Sequence, residues 1–147
     1  MAARRSGGVW LGVDVGTVRV GIAKSDASGS LASPLTTLRR DVRTDSDLDE
    51  LAALVTEYEA VGVVVGLPRN LRGVEAQAAE QAREYGGRLQ ARISPTRLVF
   101  VDERLTTVIA GRTLADSGIA GRARRRVIDQ MAAVVILQQW LDAENAC

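Results

Sequence analysis

The chain has 147 residues, a net charge of +1, no histidine and a single cysteine, Cys147, at its last position. That length suits one domain that buries its core without disulfides or structural zinc. The missing histidine argues against His-based triads and general bases, and any metal must be held by oxygen. A diffuse basic coat for nucleic acid is excluded by the charge. The absence of a signal-peptide core or a membrane-length apolar run points to a cytoplasmic protein with no membrane attachment.

The elements follow in chain order. Residues 9–14 are nearly all apolar, as in a strand buried on both faces, and Val18 to Ile22 alternates as a hairpin partner should. Gly16 permits the tight turn between them. Strands over 9–14, 18–25 and 31–38, joined by short turns such as Asp26 to Ser30, read as an antiparallel meander. Ser46 is the candidate N-cap of a helix whose apolar stripe is Leu48, Leu51, Val55 and Tyr58. Val61 to Gly66 reads as a buried parallel strand, stopped at Pro68.

A second helix from Gly73 to about Ala91 is marked by Val74, Ala78, Ala82, Tyr85 and Leu89, and weakened by Gly86 and Gly87. Leu98 to Val101 forms a fifth strand that runs into Asp102, Glu103 and Arg104. Thr106 can cap a helix that Gly118 ends, and a last helix runs from about Arg122 to Ala143. The order βββαβαβα, three antiparallel strands followed by two parallel ones, is that of an RNase H-like (RuvC-type) α/β domain, a mixed five-stranded sheet with helices on both faces. The expected organisation is a disordered tail over 1–8, one nuclease domain over 9–143 and a short tail over 144–147.

Acids fall where such a sheet gathers ligands. Asp14 ends strand one, Asp102 and Glu103 end strand five, and Asp129 lies early on the final helix, whose Ala132 and Ala133 are small enough to let it approach the sheet closely. Carboxylates from three elements at one edge suit phosphodiester hydrolysis, in which two hard cations, Mg²⁺ or Mn²⁺, activate a water and stabilise the leaving oxygen. Each acid also has a structural explanation: Asp14 as a turn residue, Asp102 as a helix cap, Glu103 as the ion-pair partner of Arg104, Asp129 as a solvated surface group. Asp129 fits its structural explanation worst, because Val127, Ile128, Met131 and Ala132 surround it in sequence.

Of the 19 cationic residues 18 are arginine, whose planar fork suits phosphate. They cluster at Arg39, Arg40 and Arg43, at Arg69 and Arg72, and at Arg122, Arg124, Arg125 and Arg126. A solvated-surface reading competes for each cluster, least for the last, which precedes the most apolar helix. Few aromatics are left for base stacking, since Trp10, Tyr58 and Phe100 occupy positions that belong to a core.

Four blocks in order, Gly12-Val-Asp-Val-Gly-Thr-Val-Arg-Val-Gly21, Val65-Gly-Leu-Pro68, Asp102-Glu-Arg-Leu-Thr-Thr107 and Ile128-Asp-Gln-Met-Ala-Ala133, resemble the YqgF/RuvX family of RuvC-like Holliday-junction resolvases, also described as pre-16S rRNA nucleases. The resemblance covers residues 9–142. It implies metal-dependent cleavage of structured nucleic acid, either precursor rRNA, in a role at the ribosomal small-subunit precursor, or branched DNA, by a monomer or a homodimer. It places the metal-binding acids on Asp14, Glu103 and Asp129, with Asp102 beside them, and turns Arg19 and Arg104 toward phosphate, with Arg69 and the 122–126 group joining the grip.

Two departures stand out. RuvC resolvases look to carry an acid at the end of strand four, where this chain has Gly66-Leu67-Pro68; the middle ligand must then come from strand five. The Asn-Met-Asp-Gly-like loop common in the family is replaced by Arg69-Asn-Leu-Arg-Gly73, where Arg72 suits a phosphate contact better than a metal.

Two other classes compete. A sugar-kinase or actin-like ATPase would use Asp14 to Thr17 for ATP phosphates, but needs a duplicated domain and a second phosphate turn. A non-catalytic RNA-binding ribosome-assembly factor of the same fold would keep the same ligands.

Overall fold

A computed structural model of the chain describes residues 7–68, 74–103 and 121–146. Its elements are β1 (Trp10–Val15), β2 (Arg19–Ser25), β3 (Ala32–Arg39), α1 (Ser46–Glu57), β4 (Gly62–Pro68), α2 (Val74–Ile93), β5 (Arg97–Glu103) and α3 (Gly121–Asn145). The strands form one sheet in the order β3-β2-β1-β4-β5. The first three are antiparallel neighbours, and β4 and β5 run parallel to β1. No helix among the described residues is long and apolar enough to cross a membrane. The helix expected between Thr106 and Gly118 lies outside the described residues.

Strand alternation divides the side chains between two faces. Leu11, Val13, Val20, Ile22, Val63 and Val65 join Leu48, Leu51 and Val55 of α1 and Ala82, Tyr85 and Leu89 of α2 in the larger core. Ala23 and Val64 face the other way and pack with Ala133, Ile136, Leu137 and Leu141 of α3. The all-apolar β1 and β4 sequences therefore reflect helices on both sides, as parallel strands require.

Several local details differ from the sequence expectations. The α1 cap is Asp45, held at φ 58°, and not Ser46, which is already helical. β4 extends through Pro68, which stands opposite Glu103 at the end of the ladder, where one missing N–H costs little. In α2 it is Ala79, not Ala78, that is buried. Gly86 serves the packing: a Cβ there would come within 2.6 Å of the Phe100 ring. Phe100 itself is 41% exposed rather than core, because it sits on the edge strand β5.

Candidate active site

Asp14 stands directly opposite Gly21 in the β1–β2 ladder. Directly opposed residues send their side chains to the same face, and here that face is the one covered by α3. A Cβ on Gly21 would overlap the backbone carbonyl of Asp129, and one on Gly12 would come 2.6 Å from Leu137 Cβ and 2.9 Å from the Ala133 carbonyl. Two glycines on adjacent strands thus create the trough in which α3 lies, with Ala132 and Ala133 fully buried. The close approach delivers Asp129 to the Asp14 end of β1.

Asp129 is held from below by Arg19, whose Nε donates to Asp129 Oδ2 at 2.8 Å. The pair is partly exposed, 29% for the arginine side chain and 20% for the aspartate, so solvent and solutes reach it. Beside it Gln130 Nε2 donates to Thr37 Oγ1 at 3.0 Å, fixing the next residue of α3 to β3. Solvent exposure alone does not describe Asp129, and Arg19 meets an acid before it meets any phosphate.

β5 ends in Asp102 and Glu103. Phe100 packs toward Gly86 of α2, whereas Val99 and Val101 pack with the α3-side cluster. By the same period, Asp102 belongs with Phe100 to the α2 side. Asp102 is exposed, and its carbonyl accepts a hydrogen bond from Gln139 Nε2 of α3 at 3.3 Å. Only the backbone placement of Glu103 is described. Among the described residues no three Asp, Glu, His or Cys side chains are grouped to hold a metal ion. The strand-four end carries Gly66, Leu67 and Pro68 and brings no acid.

Arg69, Arg72 and Arg104 lie outside the described residues. Arg122, Arg124, Arg125 and Arg126 fall on the opening turns of α3, ahead of Asp129 and at the same end of the sheet. Of the cluster at Arg39, Arg40 and Arg43, one member is structural. Arg40 Nη1 donates to Asp45 Oδ1 and Asp47 Oδ1, both at 3.0 Å, beneath α1. Asp47 is fully buried and also accepts from the Asp41 N–H at 3.0 Å and the Tyr85 hydroxyl at 2.8 Å.

These contacts shift the groups concerned. Burial, then the bond to Asp47, pushes the Tyr85 phenol far above its ordinary value. The Arg40 hydrogen bond holds the Asp45 carboxyl below the usual carboxylate range. Neither Asp47 nor Gly21 stood out in the sequence. The signal for Gly21 was its pairing distance across the Gly16 turn from Asp14, which becomes legible only once the hairpin register is known.

A model of the RuvX Holliday junction resolvases matches residues 8–143. The chain belongs to the RuvX family. A relative from Frankia casuarinae is 54% identical over 137 residues, covering 93% of this chain and 68% of its own length. One from Mycolicibacterium smegmatis is 51% identical over 138 residues, covering 92% and 81%. Both bear the name "Putative pre-16S rRNA nuclease". Among solved structures, Thermus thermophilus RuvC in complex with a Holliday junction substrate superposes with a TM-score of 0.58 at 14% identity, over 93% of this chain and 96% of that one. Another T. thermophilus RuvC structure gives 0.56 at 13%, over 94% and 96%. At that identity the likeness speaks for the fold, and the fold is RNase H-like, as the strand order implied.

Proposed function

We propose that the chain is a divalent-metal-dependent nuclease of the cytoplasm that hydrolyses phosphodiester bonds in structured nucleic acid, in 5′-end maturation of pre-16S rRNA, in Holliday junction resolution, or in both. The observation that carries this reading is the approach of Asp129 to Gly21, which stands opposite Asp14 in the ladder. The names of the RuvX relatives support the same reaction class.

The donor set fits a hard cation: only carboxylates are available, which suits Mg²⁺ or Mn²⁺ and disfavours softer metals. Asp14, Glu103 and Asp129 would hold it, and Asp102, on the opposite side of β5, would support the site from behind. When bound, the metal supplies an activated water and charge stabilisation at the leaving oxygen. Arg19 fixes the Asp129 carboxylate through one oxygen and limits its rotation. Arg69, Arg72, Arg104 and the 122–126 group would hold the phosphate backbone, contacts that position a substrate without reading its sequence. Selection then falls to substrate shape.

The test is cleavage of a labelled four-way DNA junction and of an RNA spanning a small-subunit 5′ precursor end, by wild type and Asp14→Asn with Mn²⁺. Cutting of either substrate that falls at least about a hundredfold in the variant is the expected result, since even residues one step behind a metal ligand are worth 10–100-fold. A second reading draws on the Arg19–Asp129 ion pair, which already neutralises one acid of the site: an RNA-binding assembly factor without turnover. Tight binding with no cutting under either metal would select it.

A further inference from the structure

Both tryptophans of the chain, Trp10 and Trp140, lie at the end of the sheet remote from the acids. Their ring centroids are 4.1 Å apart with planes inclined at 40°. Trp10 starts β1, in register with Gly62 of β4 and, through it, with Arg97 of β5. A Cβ on Gly62 would overlap the Trp10 ring, so glycine is required for the indole to lie across β4. The Arg97 guanidinium sits 5.8 Å from the ring centres of both tryptophans.

Beside this stack opens a cavity of about 350 Å³, whose other walls include Gly8, Gly29 and Glu144. Gly8 and Gly29 hold φ of 116° and 72°, and leave that wall without side chains. The inner sides of the rings cover the α3-side core. Core packing accounts for those sides, but not for an open cavity of ligand size, walled by glycine backbone and carrying a cation over two aromatic faces.

An indole face with an arginine beside it is the chemistry that holds a nucleobase and its phosphate: the base stacks, and the guanidinium pairs with the anion. The volume falls within the range of small-ligand sites. We propose that the Trp10–Trp140 cavity is a nucleotide-binding site, with the base on the tryptophan pair, the phosphate on Arg97, and Glu144 at the rim to accept from an exocyclic amine. Trp10 lies on the same sheet face as Asp14 and about 13 Å from it along the strand, so the site is separate from the acids. Its occupant is either a free mononucleotide or an unpaired nucleotide of a single strand. Binding here requires neither metal nor cleavage, so it stands or falls apart from the nuclease assignment.

Because the two tryptophans are the only ones in the chain, intrinsic tryptophan emission reports on this cavity alone. The full-length protein in EDTA is titrated with AMP, with CMP, with a short single-stranded RNA and with inorganic phosphate. Saturable quenching by AMP or CMP, weakened at least about fivefold by Arg97→Gln, is expected if free nucleotides bind, on the scale of one stacked and charge-paired base. Quenching by the RNA but not the mononucleotides, with the same loss in Arg97→Gln, assigns the site to a strand. No saturable change with either, or an equal response from Arg97→Gln, overturns the proposal. Arg97 is exposed, so the variant is expected to fold; Trp140→Phe, which keeps an aromatic face, should retain binding and supplies the second check.

Discussion

The two faces of the sheet are built from the same strands with opposite chemistry. Toward α1 and α2 the central strands present leucine, valine and isoleucine, and Asp47, the one fully buried acid among the described residues, is bound by Arg40, Tyr85 and a backbone N–H. Toward α3 the same strands present Gly12, Asp14, Gly21 and Ala23, and the acid brought in by the helix, Asp129, keeps a fifth of its side chain in contact with solvent. An acid satisfied on every side strengthens a fold. One left at an accessible edge can still take a ligand.

Substitutions that cross this divide sharpen it. Asp47→Ala should give the largest loss of stability, about 3–5 kcal/mol, because it leaves the buried Tyr85 hydroxyl and the Asp41 N–H without their acceptor and Arg40 with the Asp45 carboxylate alone; urea melts would record it, while the folded fraction keeps its cleavage rate. A rate that falls as far as stability would deny the separation. Gly21→Ala should cost about 1–3 kcal/mol by overpacking and, unlike Asp47→Ala, should also cut cleavage at least about tenfold, because α3 carries Asp129 away with it.

Tyr85→Phe should cost about 1–3 kcal/mol near neutral pH, since it leaves a buried carboxylate oxygen without its donor. Its pH signature is directional. The phenol binds its proton more tightly in the native state, so its contribution is complete below its unfolded pKa of about 10 and is lost as pH rises above that value. Wild-type stability should therefore decline above about pH 10 more steeply than that of Tyr85→Phe, a difference that paired melts across that range would reveal. Smallest in stability is Arg19→Gln, at about 0–1 kcal/mol for a partly exposed pair. Its larger effect should appear as weaker metal-dependent cleavage, read by titrating Mn²⁺ against rate.

The α3 face was the more legible of the two in the sequence. Asp14 at the end of an apolar run and Asp129 among Val127, Ile128 and Met131 are local anomalies, and local anomalies survive in one dimension. The small pair Ala132–Ala133 announced the close helix. The α1 and α2 side hid its polar centre because each member has an ordinary explanation alone: Arg40 sat in an arginine cluster, Asp47 in an acidic first turn, Tyr85 in a helical stripe. Only the fold brings Tyr85 to Asp47 across 38 residues.

The Arg19–Asp129 bond joins residues 110 positions apart, one in the second strand and the other in the last helix. During synthesis all five strands, α1 and α2 leave the ribosome before α3, and throughout that time Asp14 is without Asp129. The proposed site is thus complete only once the last helix has been made. A chain translated only as far as β5 would carry Asp14 and Glu103 without Asp129, and none of its proposed activity.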